Sequence, residues 1–347
     1  MNKTITYLGI DVSKEDLENA ITLNGKKIIS TKKVKNNLGG FKALESWVRK
    51  HSKKHACEVI CVCIESTGIY SEDVAEYFQE KEDMKVSVVN PAQVKAFGKS
   101  IHIRTKTDRV DAGLLANYCG MIQAKASPKP PEEFKDFKKL TRHRDYLVNR
   151  RAQEKSHLES VKEASIQDSI LKLISFYDQQ VEEAEAMIEK LLSKCPEMKK
   201  NIELLKSIPG IGDVTARVLL SELHREDETG KYNAKSQTAH AGLAPSERQS
   251  GSSIRGKSKI CKTGNARLRT CLYFPALTAT RYNILIASFY QRLLENGKLK
   301  KVALTASMRK LLVLAIGVLN NQVPFDPAWE EKKLNNLTFN MESTMSC

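Results

Sequence analysis

The sequence predicts a mixed α/β sheet in its first third, a long helical middle and a mainly helical C-terminal part. Short apolar runs alternate with amphipathic stretches up to Tyr118, a strand-and-helix rhythm. A Pro-rich break, Ser127 to Pro131, closes that region. From Glu132 to about Lys200 the chain is polar, lacks Gly and has only Pro196 near its end, so long helices follow. These breaks divide it into 1–131, a connector 132–203, a C-terminal domain 204–325 and a tail 326–347.

Ile5 to Ile10 is an apolar run ended by Asp11, a buried strand whose carboxylate emerges in mid-sheet. Leu17 to Lys35 holds Asn24-Gly25 between β-prone runs, a hairpin signal. Phe41 to His51 reads as an amphipathic helix. Val59 to Ile64 is a second buried strand closed by Glu65, and if it lies parallel beside the first, the two carboxylates come out side by side. Tyr70 to Glu82 is another helix, and Val86 to Val89 a short strand stopped by Pro91. Thr107 can cap a last helix, on which Asp108 and Asp111, three residues apart, share one face.

Strand, hairpin, helix, strand, helix, strand, helix is the order of an RNase H-like domain, with Asp11, Glu65, Asp108 and Asp111 on its first strand, fourth strand and last helix. Each carboxylate alone also fits a helix cap or a solvated face. The four in this order point to a pocket for Mg²⁺, with Mn²⁺ as a substitute, because such hard cations take carboxylate and phosphate oxygens. That is phosphodiester chemistry on a nucleic acid.

Composition agrees. The chain has 347 residues and a net charge of +15, and residues 240–312 hold fourteen Lys or Arg against two Glu. An anionic partner fits this excess. The eight cysteines lack CxxC pairs or zinc-finger spacing and read as reduced thiols of a cytoplasmic protein, with Cys61 and Cys63 packing a strand. No signal-peptide pattern begins the chain, and Leu311 to Leu319 is too short an apolar run to span a bilayer, so no membrane role is expected.

In the middle, Ile170, Ile174, Tyr177, Val181, Ala184, Ile188 and Leu191 recur in steps of four and three, the seam of a coiled coil for self-association or of a helix packed on its own domain. Pro209-Gly210-Ile211-Gly212 opening a helix resembles a helix-hairpin-helix element whose glycines admit a phosphate; a tight turn between core helices fits equally. Residues 242–269 then interleave glycines and hydroxylated residues with seven basic side chains: Arg248, Arg255, Lys257, Lys259, Lys262, Arg267 and Arg269. Such a loop can surround a phosphate. It also exposes Ser250, Ser252 and Ser253, and spacing alone does not say whether one is a nucleophile.

Gly9-Ile10-Asp11-Val12-Ser13-Lys14, Ile64 to Gly68 and Lys106 to Ala112, followed in order by Ile208 to Gly212, Ala241 to Pro245, Gln249-Ser250-Gly251 and Lys262 to Arg269, resemble the insertion-sequence-110 transposase family over roughly residues 5–290. The resemblance implies a RuvC-like DEDD domain at the N-terminus and a C-terminal transposase domain. It implies a DNA recombinase in which the acidic pocket acts with a serine, at the position of Ser250. It also implies target and donor DNA chosen by pairing with an element-encoded guide RNA, and a multimer, a dimer or tetramer, assembled through the helical middle. Whether pocket and serine meet within one protomer or between partners stays open. So do two other classes, a Mg²⁺-dependent nuclease or junction resolvase that uses water, and a non-catalytic nucleic-acid-binding protein.

Overall fold

A computed structural model of the chain describes residues 5–66, 68–103, 105, 107–127, 129, 131–223, 231–246, 249–250, 254–255 and 259–328, with the backbone alone at 69, 249–250 and 254–255. Two units divide the chain, 1–129 and 130–347.

The first unit is a five-stranded sheet in the order β3-β2-β1-β4-β5. Strands β1 (Ile5–Val12), β2 (Asp16–Thr22) and β3 (Ile28–Lys35) run antiparallel to their neighbours in turn, while β4 (Val59–Glu65) and β5 (Met84–Val89) extend the sheet in parallel from β1. Alternation decides the faces. Leu8, Ile10 and Val12 of β1 with Ile60, Val62 and Ile64 of β4 form a core with Phe41, Leu44 and Val48 of α1 (Leu38–Lys54) and Val74 and Phe78 of α2 (Glu72–Gln79). The opposite face, with Cys63 and Val89, is covered by Val94 of α3 (Pro91–Ser100) and by Leu114, Leu115, Tyr118 and Cys119 of α4 (Asp108–Ile122). Cys61 and Cys63 therefore pack, as their strand positions suggested, and burial pushes the Cys61 thiol up to about 11.

Helix α3 was not foreseen. Pro91 was taken as a stop, yet it occupies the first helical turn, where its missing N–H costs nothing, and Asn90 Oδ1 accepts the Ala92 N–H at 2.8 Å as the cap. The hairpin is also looser than a two-residue turn: Asn24 Oδ1 accepts the N–H groups of Lys26 and Lys27 across a five-residue connection, residues 23–27.

In the second unit, α5 (Glu132–Ser160) and α6 (Ala164–Lys194) lie against each other. Arg144 pairs with Glu185 at 2.9 Å and Arg151 with Asp178 at 2.5 Å, so seven residues forward on one helix match seven backward on the other, an antiparallel register. The predicted seam is thereby used within the chain. Ile170, Ile174, Val181, Ala184 and Ile188 are buried, with Leu192 joining them and Leu191 only half-buried. A heptad stripe cannot tell a partner's helix from the chain's own preceding one, and here α5 covers it.

One continuous core joins Phe137, Ile188 and Leu192 of this pair to the C-terminal helices, including α7 (Pro196–Lys206), α8 (Asp213–Glu222), α9 (Ala234–His240), α10 (Ala266–Cys271), α11 (Tyr273–Tyr282), α12 (Ile284–Glu295) and α13 (Lys300–Asn321). The apolar run at Leu311 belongs to this last helix, whose 22 residues are long and apolar enough to cross a membrane. Leu311, Leu312, Ala315, Ile316 and Leu319 are instead buried in the core, which explains a helix apolar on several sides.

Gly9 is the tightest point of the first unit. A Cβ there would stand 2.3 Å from both the Ala112 carbonyl oxygen and the Ala116 nitrogen of α4. Gly9→Ala is expected to destabilise this unit by about 2–3 kcal/mol, because both neighbours are backbone atoms. Hydrogen exchange should quicken in β1 and α4, and unchanged protection there would show that the helix yields at no cost.

Candidate active site

Asp11 and Glu65 follow the last paired residues of their parallel strands, Ile10 opposite Ile64, so the two stand side by side. Both share the odd face with Gly9 and Cys63, the face that α4 covers. Thr107 Oγ1 accepts the Val110 N–H at 3.3 Å and starts α4 there, which puts Asp108 and Asp111 in its first turn. With Gly9 holding strand and helix in backbone contact, the aspartates come to the same end of the sheet as the two strand carboxylates.

Electrostatics registers the meeting. Burial raises the Asp11 carboxyl first, and Glu65, Asp111 and Asp108 raise it further, to about 6 from the ordinary 3.8, against a backbone hydrogen bond at Val12 that lowers it. The structure thus brings the four predicted acids around Asp11. Among the described residues, however, no three acidic, histidine or cysteine side chains are grouped tightly enough to hold a metal ion. The quartet is a coupled cluster of oxygen donors rather than a closed cage.

The serine region is a β-ribbon where a loop was expected. Pro245–Ser246 (β6) pairs antiparallel with Lys259–Ile260 (β9), and further out Gln249–Ser250 (β7) pairs with Ile254–Arg255 (β8). Ser250, opposite Ile254, is the last paired residue of its strand. Arg248, Ser252, Ser253 and Lys257 lie outside the described residues, and for Ser250 and Arg255 the backbone position is what can be stated. Lys259 and Lys262 are exposed near the ribbon's base.

That base is fixed by buried charge. Glu222, fully buried at the end of α8, accepts from Arg142 Nε at 2.8 Å, Arg267 Nη1 at 2.6 Å and Asn265 Nδ2 at 2.7 Å. Arg267 also donates to Asp145 at 2.9 Å. Arg269 Nη1 donates to the carbonyls of Ala241 at 3.0 Å and Lys262 at 3.3 Å, one on each side of the ribbon. Arg267 and Arg269 were expected on nucleic acid; their guanidinium groups are committed internally. Burial alone would raise Glu222, but Arg142 and Arg267 overrule it and hold its carboxyl at about 2.

The glycines at 210 and 212 also differ from expectation. Gly210, at φ +105°, packs the turn onto α11, where a Cβ would stand 2.7 Å from the Pro275 carbonyl oxygen. Gly212 is open, but the helix it precedes begins with Asp213, whose carboxylate already pairs with Arg217 at 2.6 Å. An acid at the helix N-terminus takes the place that a phosphate would need. Gly9 and Glu222 were the residues that sequence reasoning missed. A glycine inside an apolar strand and a lone acid ending the apolar run Val218-Leu219-Leu220 were the available signals.

Comparison with known proteins places both constellations in one context. Residues 8–164 match the IS110 DEDD family model described as a transposase, and residues 202–291 match that of the transposase IS116/IS110/IS902 family. The pilin gene-inverting proteins of Moraxella bovis and Moraxella lacunata are each 32% identical over 327 residues, covering 92% of this chain and 98% of theirs. A 43.6 kDa protein of insertion element IS110 from Streptomyces coelicolor is 30% identical over 137 residues, 40% of this chain and 32% of that protein. Among solved structures, T. thermophilus RuvC in complex with a Holliday junction substrate aligns with 35% of this chain and 98% of its own, at 15% identity and a TM-score of 0.26.

Two pH-dependent outcomes follow from the charges. Asp11 keeps its proton to about pH 6 when folded but only to about 3.8 when unfolded, so stability falls as pH rises between those values, by at most about 3 kcal/mol. Asp11→Asn should therefore unfold at higher urea than the unmutated chain at pH 7.5 and at the same urea below pH 4. A variant less stable at pH 7.5 would contradict the crowding. Glu222 has the opposite sign: its contribution is present above about 4.5 and fades as pH falls toward about 2. Glu222→Gln, which strands two arginines, should cost about 3–5 kcal/mol near neutrality.

Proposed function

The chain belongs to the IS110 family of transposases and is a DNA recombinase by that membership, and from that premise we propose that it cuts and rejoins DNA strands with its acidic quartet and Ser250. The observation that carries this reading is Asp11, ringed by Glu65, Asp111 and Asp108 on an RNase H-like strand order. Four oxygen donors crowded enough to raise one carboxyl suit a hard divalent cation, Mg²⁺ or Mn²⁺. When bound, the cation would neutralise charge at the scissile phosphate.

The chain's own residues supply the rest. Ser250 Oγ attacks phosphorus, giving up its proton; a serine–phosphate ester forms, one phosphate–sugar bond breaks, and the sugar oxygen leaves as a hydroxyl after taking up a proton. A sugar hydroxyl of the exchanged strand then attacks the phosphoserine, which restores Ser250 and conserves the ester energy. Lys259 and Lys262, with Arg248, Arg255 and Lys257, hold the phosphate or its neighbours by charge. Relatives named for inverting a pilin gene support rejoining over simple cutting, since an inverted segment must be sealed at both ends.

Sequence choice is assigned to an element-encoded guide RNA that pairs with target and donor DNA, the protein recognising backbone and shape. The net +12 of residues 240–312 suits that division of labour. A dimer or tetramer assembles the two half-sites, each carried by a different unit of the chain, in a reducing cytoplasm.

Ser250→Ala is expected to abolish a covalent protein–DNA adduct that survives denaturing electrophoresis, and Asp11→Asn to abolish both adduct and cleavage. Mg²⁺-dependent cleavage undiminished in Ser250→Ala, with no adduct in either protein, would replace the serine by water as nucleophile. Cleavage and metal dependence untouched by Asp11→Asn would remove the quartet from the chemistry.

A further inference from the structure

Helices α11 and α12 form a hairpin around Asn283, which is fully buried, caps α12 through the N–H of Leu285 at 3.2 Å, and donates to the Pro209 carbonyl at 3.4 Å. The hinge is therefore rigid, but the outer face is unusually apolar. Phe274 and Tyr282 are each 72% exposed and Ile284 64%. Phe274, Leu277 and Arg281, at positions i, i+3 and i+7, line one side of α11, with Tyr282 beside them about 12 Å from Phe274 along the axis. Tyr273 braces Phe274 edge-on, ring centroids 5.4 Å apart. Between the helices runs an open groove of about 580 Å³, lined by Leu277 and Arg281 on one side and Ala287, Tyr290 and Gln291 on the other.

Charge selects the occupant. Residues 273–321 hold seven Lys or Arg against a single Glu, Glu295. An apolar patch in so basic a setting suits a polyanion with flat apolar faces. Duplex DNA offers the phosphates but hides the base faces in its stack, whereas unpaired nucleotides present both. We infer that the α11–α12 groove binds unpaired nucleotides of the nucleic-acid substrate or guide, their bases stacking on Phe274 and Tyr282 and a phosphate meeting Arg281. This rests on the reading of the chain as a DNA recombinase. It adds a binding site remote in sequence from both Ser250 and the acidic quartet. Sequence tolerance follows, because every base has a π face.

The test uses the full-length protein with fluorescent oligo(dT) and oligo(U) of about 20 nucleotides and a duplex of equal length. Phe274→Ala/Tyr282→Ala, both at exposed positions that leave the core intact, should weaken oligonucleotide binding at least about tenfold and leave duplex binding within about twofold. Phe274→Tyr/Tyr282→Phe should restore it, and Arg281→Gln should lower the salt slope of oligonucleotide binding by about 0.7. Tighter oligo(U) than oligo(dT) assigns the groove to RNA, and the reverse to a DNA strand. Oligonucleotide binding unchanged in the alanine variant overturns the inference, most directly if its sedimentation shifts, since the patch then meets a second copy. Failure of the unmutated protein to bind any of the three probes would instead remove the recombinase reading itself.

Discussion

Where Gly9 lies under Ala112 and Ala116, a strand and a helix touch with no side chain between them, and the N-terminal site depends on that contact. A side chain of ordinary size would hold α4 away from β1 and take Asp108 and Asp111 out of electrostatic reach of Asp11. The sheet core beneath, with Leu8, Ile10, Val62 and Ile64 fully buried, keeps the strand flat against this pressure. Four like charges are thus forced together by packing on the far side of the sheet. The start of α4 offsets part of the cost, since both aspartates sit in its first turn, where the helix dipole favours negative charge.

The second unit solves a different problem, how to hold out a β-ribbon with little core of its own. Its paired segments are two residues long, too short to stand alone. The anchorage comes from below: Asn265 caps α10 through the Leu268 N–H and donates to Glu222, Arg267 joins Glu222 to Asp145 on α5, and Arg269 ties the two ends of the ribbon. A buried carboxylate with three donors is costly to assemble and costlier to break, so it fixes position more than it adds stability. Basic residues that look like phosphate ligands in sequence are here divided between framework and surface.

That division explains what was legible in the sequence and what was not. The sheet order, the helix cap at Thr107 and the meeting of Asp11, Glu65, Asp108 and Asp111 were readable because each rests on local periodicity or a fixed spacing. Helix α3 was hidden by Pro91, which punctuates in either direction. The seam at Ile170 to Ile188 was visible, but whose helix covers it is a tertiary fact. For Arg267, Arg269 and Gly210 the sequence shows a donor or a flexible turn without showing that Glu222, Ala241 or Pro275 will claim it.

A carboxyl raised to about 6 has a consequence for any cation that the quartet takes. At neutral pH Asp11 is mostly ionised and its repulsion with Glu65, Asp111 and Asp108 is paid by the fold. A divalent ion among them relieves that repulsion, so the strain returns as affinity, by the same linkage that makes the protein less stable without it. Below about pH 6 a proton does the same service at Asp11 and competes with the ion. The tightness of Gly9 against α4 therefore sets two quantities together: how unstable the bare pocket is, and how strongly it seeks a positive charge.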